Sequence, residues 1–244
     1  MPVNNVPAYT ISNENQRWAT QVIPDAKKVL TVAGSGDQAL FYKLAGAKIV
    51  DTFDITCNAR VIQDMKYVAI KNMNPVEYKD LLIRAYRTDG AELESILSDM
   101  WTSLPDKTGE IIQKSRFDMV LGFGLNANFY PENIPTAEEF ARLRKVLTKP
   151  FYFIWSDLES LSGNLTKKYD VINISNIFDY CSNAETQVKI LDELSAYLTK
   201  NGRIVYLPQK QRFSYKKLVL QNLAYERTEV YDHQNKMIIF QRTR

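Results

Sequence analysis

Residues 27–40 (KKVLTVAGSGDQAL) and 50–54 (VDTFD) decide the fold of this chain. In the first stretch, a β-rich run reaches the glycine turn at 34–36, and a helical pattern with apolar residues on one side follows. The second stretch is a short strand that ends on Asp54, about twenty residues after the turn. This order of strand, glycine turn, helix, strand and acid predicts a βαβ nucleotide-binding unit. A glycine turn in an α/β domain that binds no ligand is the alternative.

The residue types in this unit suit a nucleotide. Gly34 permits the tight turn, Gly36 lets the backbone approach the ligand, and Ala39 occupies the third, close-packing position. Asp54, at the end of the second strand, suits the two hydroxyls of an adenosine ribose.

Length and composition restrict the class of protein. At 244 residues, one α/β domain with an insertion fits better than two independent domains. The net charge of +3 is too small to indicate nucleic acid or an anionic membrane as a partner. The only cysteines, Cys57 and Cys181, form neither a disulfide framework nor a zinc cluster, so we expect a reduced, cytoplasmic setting. Residues 1–21 are polar and no apolar run approaches about 18 residues, which predicts no signal peptide and no membrane segment.

The chain is predicted to form a single domain over residues 1–244, with a lead-in at 1–26 and an insertion at about 75–150. Strands and helices alternate on both sides of the insertion, whereas helical patterns dominate inside it. The Thr136-x-x-Glu139 spacing within it is a capping box that opens a helix. We therefore predict a mostly helical insertion between the second and third strands.

After the insertion, strands and helices alternate again. The predicted elements are strands at 150–155, 169–175 and 203–207 and a helix at 184–198. Asn201-Gly202 is predicted to stop that helix. Two further strand-like runs, at 226–232 and 236–242, are joined by a short turn, which predicts an antiparallel hairpin.

The hairpin distinguishes two cofactor classes. The sheet of a dinucleotide-binding Rossmann fold is essentially all parallel, whereas the S-adenosyl-L-methionine (SAM) methyltransferase variant ends with an antiparallel strand inserted by a hairpin. Short turns force antiparallel pairing, so this ending favours SAM over NAD. The predicted fold is therefore α/β: a Rossmann-like class I SAM-methyltransferase sandwich with a mostly parallel sheet.

Ligands of such sheets lie beyond the carboxyl ends of the strands, at the switch in strand order. The predicted cofactor-binding residues at these ends are Gly34, Ser35, Gly36, Asp37, Asp54, Ile55, Asp157, Leu158 and Ser175. Residues 34–37 would meet the methionine moiety, with helix-start N–H groups holding its carboxylate. Asp54 would hold the ribose, and Asp157 and Leu158 would meet the adenine. A helix N-cap is the alternative role for Asp157.

The acceptor side is predicted from the residues after the fourth strand. Asn176 would border the sulfonium and the acceptor, although a turn-forming asparagine is an equal alternative. Asp179 and Tyr180 are the candidate bases for an amine or hydroxyl acceptor, with helix capping as their alternative. His233 lies in the hairpin turn and is predicted to be a surface residue. No metal site is expected.

Residues 117–130 are rich in aromatic side chains and are predicted to form a short strand or a glycine-punctuated loop. Within it, Asn126, Asn128 and Tyr130 either shape the acceptor site or are simply packed.

Several stretches resemble one enzyme family. Residues 29–40 (VLTVAGSGDQAL), 53–55 (FDI), 65–71 (MKYVAIK) and 175–180 (SNIFDY) resemble the diacylglycerol 3-amino-3-carboxypropyl transferases of betaine-lipid synthesis. The resemblance covers parts of the first third of the chain and one later block, and it does not cover the insertion. It implies SAM dependence and the class I methyltransferase fold.

Three functions follow from these observations. The favoured one is a SAM-dependent transferase, most simply a methyltransferase, acting on a small-molecule or lipid-like acceptor, because most enzymes of this fold transfer methyl groups. The resemblance instead favours transfer of the 3-amino-3-carboxypropyl group. A SAM- or nucleotide-binding module without turnover is the third, because Val32 stands where methyltransferases usually carry an acid. No nucleic-acid partner is expected.

Overall fold

A computed structural model describes residue 8 and residues 10–87, 90–115, 130–181, 183–209, 225–231 and 235–242. The strands are β1 (Lys28–Val32), β2 (Ile49–Asp54), β3 (Tyr152–Trp155), β4 (Tyr169–Asn173), β5 (Leu198–Tyr206), β6 (Tyr225–Tyr231) and β7 (Lys236–Arg242). The helices are α1 (Gln16–Val22), α2 (Asp37–Leu44), α3 (Cys57–Asn72), α4 (Pro75–Arg87), α5 (Gly90–Met100), α6 (Asp106–Ser115), α7 (Ala137–Val146) and α8 (Ala184–Ser195). None of the helices in these ranges is long and apolar enough to cross a membrane.

The strands form one sheet in the order β3-β2-β1-β4-β5-β7-β6. The pairs among β1 to β5 are parallel, whereas β7 pairs antiparallel with both β5 and β6. The predicted hairpin is therefore confirmed, and with it the predicted fold class. Strand order reverses between β1 and β4, which places the switch point at their carboxyl ends.

Both faces of the sheet are covered by helices. Because successive residues of a strand point to opposite faces, Val29 and Leu30 of β1 enter two different hydrophobic clusters. The first cluster includes Leu40 of α2 and Ile62 of α3, and the second includes Ile190 of α8. Burial on both sides explains why β1 reads as a nearly continuous apolar run.

The helices at 75–146 pack on the sheet-covering helices. Tyr78 of α4, Leu97 of α5 and Phe140 of α7 are buried in the same cluster as Val29 of β1. The capping box at the start of α7 is confirmed, because the Thr136 side chain accepts from the Glu139 N–H and the Glu139 carboxylate accepts from the Thr136 N–H. The assignment of one domain with an insertion stays a prediction.

The helix stop predicted at Asn201-Gly202 is wrong, because these residues lie inside β5. Helix α8 already ends at Ser195, and β5 begins at Leu198. The pairing of β4 with β5 is irregular at this point, and a Cβ at Gly202 would lie 2.8 Å from the Tyr169 carbonyl oxygen. The glycine is therefore required by a close backbone approach rather than by a helix end.

Candidate active site

A cleft of about 420 Å³ opens at the carboxyl ends of β1, β2, β3 and β4. Most of the predicted site residues line it: Gly34, Ser35, Asp54, Ile55, Asp157, Leu158, Ser175, Asn176 and Tyr180. Gly36, Asp37 and Asp179 are not among the lining residues. Residues from four strand ends, far apart in sequence, therefore meet in one concave site, as expected for a ligand at the switch point.

The glycine turn after β1 has left-handed backbone at both glycines, with φ of 46° at Gly34 and 80° at Gly36. A Cβ at Gly34 would meet no atom within 4 Å, so Gly34 is required by its backbone angle rather than by space. A Cβ at Gly36 would lie 3.3 Å from the Cα of Gln63, so α2 and α3 approach closely behind the turn. The close-packing position is thus Gly36, in addition to the fully buried Ala39.

Asp54 connects the end of β2 to the glycine turn. Its Oδ2 accepts from the Gly34 N–H at 2.9 Å, and its Oδ1 accepts from the Thr56 N–H at 3.1 Å. Burial raises the pKa of Asp54 to about 6, although these backbone donors and that of Ile55 oppose the rise. A carboxylate has about four lone-pair sites, so one that accepts from backbone N–H groups retains acceptor capacity toward the cleft.

The residues after β3 form a hydrogen bond within the protein and also line the cleft. The Asp157 Oδ1 accepts from the Ser160 N–H at 2.7 Å, within the turn that precedes a 3-10 helix at Leu161–Asn164. The N-cap of that helix is Ser160, so Asp157 stabilises the turn and is not a helix N-cap. Asp157 also lines the cleft, beside the buried Leu158. The predicted adenine contacts of both residues stay predictions.

The end of β4 is held in an uncommon backbone conformation. Ser175 has φ of 52°, the one positive value at a non-glycine residue in the described ranges. The Asn173 Oδ1 accepts from the Ser175 N–H at 2.9 Å, and the Ser175 carbonyl accepts from the Leu207 N–H at 2.8 Å. Asn176 follows in the cleft wall, and its side chain makes no capping bond to the short 3-10 turn that begins there. Such local strain is typical of functional sites.

Asp37 is placed behind the glycine turn rather than in the cleft. Its carboxylate forms an ion pair with Lys66, and both side chains are almost completely buried. It also accepts from the Ser12 N–H at 2.7 Å and from the Ser35 hydroxyl at 2.9 Å. Burial lowers the pKa of Lys66, and the negative Asp37 opposes that shift. Asp37 therefore has an internal charge partner and does not line the cleft, and its predicted contact with the methionine moiety stays a prediction.

Asp179 is buried next to the cleft and its carboxylate is bonded to the protein. Tyr206, at the end of β5, donates its hydroxyl to the Asp179 Oδ1, and the Gln209 N–H donates to Oδ2 at 2.8 Å. Tyr180, in contrast, is exposed and lines the cleft. The base role of both residues stays a prediction, and the contacts of Asp179 favour a positioning role.

Glu14 is a lining residue that the sequence reasoning missed. Its carboxylate accepts from the Ser175 hydroxyl at 2.6 Å, from Gln16 Nε2 at 2.9 Å and from Gln38 Nε2 at 3.0 Å. Burial raises the pKa of Glu14 to about 7 against the effect of these bonds, and the nearby Asp179 adds to the rise. No spacing rule connects Glu14 to Ser175, which follows it by 161 residues. The one signal available in the sequence was that Glu14 is the only acid among residues 1–24.

The lead-in is fixed to the insertion at residues 12–16. Asn133 donates its side-chain amide to the carbonyls of Ser12, at 3.2 Å, and Glu14, at 2.7 Å. Its Oδ1 also accepts from the Gln16 N–H at 3.0 Å. Asn133 thereby holds this wall of the cleft.

A second cavity of about 330 Å³ shares Asn13 and Glu14 with the cleft. Its lining residues are Asn13, Glu14, Asn15, Trp18, Tyr130, Leu207, Pro208, Gln209, Asn235 and Lys236. The Tyr130 hydroxyl donates to the Asn235 Oδ1 at 3.1 Å across this cavity. Asn126, Asn128 and His233 lie outside the described residues.

Comparison with solved structures finds similar methyltransferases. The rRNA methyltransferase AviRa from Streptomyces viridochromogenes is similar, with a TM-score of 0.51 and 13% identity over 98% of this chain and 87% of that chain. The N-methyltransferase NodS from Bradyrhizobium japonicum, in complex with S-adenosyl-L-homocysteine, matches 90% of this chain and 79% of that chain, with a TM-score of 0.44 and 8% identity. The protein has the class I SAM-dependent methyltransferase fold.

No protein-family model and no curated protein matches the sequence. The resemblance to the diacylglycerol 3-amino-3-carboxypropyl transferases therefore stays a prediction.

Proposed function

We propose that this protein is a SAM-dependent transferase that binds its cofactor in the 420 Å³ cleft and transfers the methyl group to a small polar acceptor. The observation that carries the proposal is the convergence of the predicted residues on one cleft at the switch point of this sheet. The fold of AviRa, which is described as a methyltransferase, supports the same activity.

The residues of the cleft fit the chemical parts of SAM. The left-handed turn at Gly34 leaves open space where a side chain would stand, next to the first turn of α2. Leu158 and Ile177 give the cleft apolar walls suited to a purine ring, and Asp54 brings a carboxylate to the end of β2. The cleft volume lies within the range of about 300–1,000 Å³ that is usual for small-molecule sites.

SAM supplies an electrophilic carbon on a sulfonium, so the task of the protein is chiefly to orient the acceptor in line with the leaving sulfur. Asn176 and Tyr180 line the cleft beyond β4 and would orient the acceptor. Asp179 fixes the turn that carries them, through its bonds to Tyr206 and Gln209.

The acceptor would enter from the second cavity, which shares Asn13 and Glu14 with the cleft. This cavity is small, at about 330 Å³, and most of its lining residues carry amide, hydroxyl or charged groups. Such a lining suits a compact polar molecule better than a lipid chain. AviRa is described as acting on rRNA, but a net charge of +3 gives little attraction for RNA.

Transfer of the 3-amino-3-carboxypropyl group is the second candidate, and the resemblance of residues 29–40 and 175–180 favours it. The two reactions leave different nucleosides. Methyl transfer leaves S-adenosylhomocysteine (SAH), and carboxypropyl transfer leaves methylthioadenosine.

The test combines binding with product analysis. Calorimetry on the purified protein is expected to give micromolar affinity for SAM and SAH, equivalent to about −8 kcal/mol, and none comparable for NAD. Mass spectrometry after incubation with SAM and panels of amines and hydroxyl compounds should then detect SAH. Methylthioadenosine as the sole product would replace methyl transfer by carboxypropyl transfer. SAM binding without either product, above spontaneous breakdown, would indicate a binding module.

A further inference from the structure

Glu14 holds its carboxylate at the switch point, between the end of β4 and the first turn of α2. The contact on the β4 side is the Ser175 hydroxyl, and the contact on the α2 side is the Gln38 amide. Glu14 is 7% exposed and lines both cavities. Its carboxylate is therefore almost withdrawn from bulk water yet forms part of the wall that a ligand would touch.

The donors around this carboxylate are all neutral. Serine and two glutamines surround it, and in the described ranges no lysine or arginine forms an ion pair with it. Two other buried carboxylates have a cation: Asp37 pairs with Lys66, and Asp51 pairs with Lys167. An ionised carboxylate that is buried without an opposite charge is costly, so Glu14 lacks a partner that a cationic ligand can provide.

We propose that Glu14 is the counter-charge for the ammonium group of the amino-acid tail of SAM. This inference rests on the proposed function. In the amino-acid tail of SAM, the ammonium and the carboxylate are attached to the same carbon. If the SAM carboxylate binds to the N–H groups at the start of α2, the SAM ammonium therefore lies within a few ångströms of that helix. Glu14 is bound to Gln38 in the first turn of α2 at 3.0 Å, which satisfies this condition.

The position of Glu14 brings its negative charge to the amino-acid tail of SAM rather than to the adenosine. Asp54 and Asp157 stand at the ends of β2 and β3, on the other side of the glycine turn in the strand order. Glu14 thus distinguishes ligands that carry the amino acid from nucleosides that lack it.

The affinities of a Glu14→Gln variant for three ligands distinguish the possible roles of Glu14. SAM carries both the ammonium and the sulfonium, SAH carries the ammonium alone, and methylthioadenosine carries neither. We expect the variant to bind SAM and SAH about 10- to 100-fold more weakly, while its affinity for methylthioadenosine changes less than about twofold. Loss for SAM alone would assign Glu14 to the sulfonium, and equal loss for all three ligands would make it structural. Either result would overturn the inference.

Asp51→Asn is the matched control, because Asp51 is also a buried carboxylate but does not line the cleft. This control should leave the ratio of the SAH and methylthioadenosine affinities unchanged. Thermal unfolding of both variants checks that they are folded.

A measurement on the unaltered protein tests the inference without a variant. An SAH analogue with hydrogen in place of the amino group, and with the carboxylate kept, should bind at least about tenfold more weakly than SAH. Equal affinities of SAH and the analogue would overturn the inference while leaving the proposed function intact. Absence of binding for SAM, SAH and methylthioadenosine alike would instead overturn the proposed function, and this inference with it.

Discussion

The carboxylate of Asp54, at the end of β2, accepts a hydrogen bond from the backbone N–H of Gly34, in the turn after β1, at 2.9 Å. Two neighbouring strand ends are thereby joined at the centre of the cleft. The glycine turn is held by the residue predicted to bind the ribose, so cofactor binding at that residue would be coupled to the local backbone geometry.

Asp54→Asn is expected to weaken SAH binding by about 10- to 100-fold, which is roughly 1.5–3 kcal/mol. The amide offers one acceptor oxygen where the carboxylate offers two, so the Gly34 or the Thr56 N–H loses its acceptor. Calorimetry measures the affinity. Asp170→Asn is the matched control, because Asp170 accepts from the Lys27 and Lys28 N–H groups at the amino ends of β1 and β4, far from the cleft at the carboxyl ends. If both variants bind SAH as the unaltered protein does, the ribose position is incorrect.

Gly36→Ala is expected to lower the free energy of unfolding by about 1–3 kcal/mol. Alanine is strained at φ of 80°, and its Cβ would lie 3.3 Å from the Cα of Gln63. Gly163→Ala should change stability by less than about 0.5 kcal/mol, because a Cβ there meets no atom within 4 Å. Urea unfolding compares the two variants. A neutral Gly36→Ala would show that the turn rearranges freely.

The stability of the protein is expected to depend on pH through Glu14. The folded-state pKa is raised from 4.5 to about 7, so this group stabilises the fold fully below pH 4.5 and loses that contribution as the pH rises through about 7. The expected decrease in the free energy of unfolding between pH 5 and pH 8 is about 2–3 kcal/mol. Asp179 and Tyr42 are the titratable groups that interact with Glu14.

Glu14→Gln isolates this contribution. Asp54, with its pKa raised to about 6, adds a decrease of the same sign, and the variant retains it. Urea unfolding at several pH values should therefore give a smaller pH dependence for the variant than for the unaltered protein. Identical dependence in both proteins would mean that Glu14 ionises as freely when folded as when unfolded.

Asp179→Asn is expected to destabilise the fold by about 1–3 kcal/mol, because the buried carboxylate accepts from both Tyr206 and Gln209. Tyr206→Phe removes one of these donors without touching the carboxylate and should give a smaller loss of the same kind. With a positioning role, the two variants should also lose turnover to a similar, modest extent. A 10²- to 10⁴-fold loss of rate in Asp179→Asn alone would instead make Asp179 the base.

Lys66→Met is expected to cost about 3–5 kcal/mol of stability, because it leaves the buried Asp37 carboxylate without its cation. The double variant Lys66→Met with Asp37→Asn should recover part of that loss. Lys189→Met, at an exposed lysine, is the control and should be nearly neutral. The melting temperatures of the variants provide the comparison.

Much of the fold was predictable because its signals are local. The run from β1 through the glycine turn to Asp54, and the hairpin of β6 and β7, are contiguous patterns that fix strand direction and cofactor class. The stop predicted at Gly202 failed because a glycine that permits close backbone contact looks the same in sequence as one that ends a helix.

The candidate site was less predictable because its charges depend on packing between distant segments. Asp37 fits the pattern of a ligand-facing acid, yet it is neutralised by Lys66, 29 residues later on α3. Glu14 belongs to no periodic element, and its position follows only from its contacts with Ser175, Gln16 and Gln38.

The contact between Glu14 and Ser175 also has a consequence for biosynthesis. The two residues are 161 positions apart, so the segment before α1 leaves the ribosome long before its partner on β4 exists. Contacts of such large separation form late, and the wall of the cleft is therefore completed only after most of the sheet has been synthesised. Nascent chains released before β4 should accordingly lack the pocket, whatever secondary structure they have already formed.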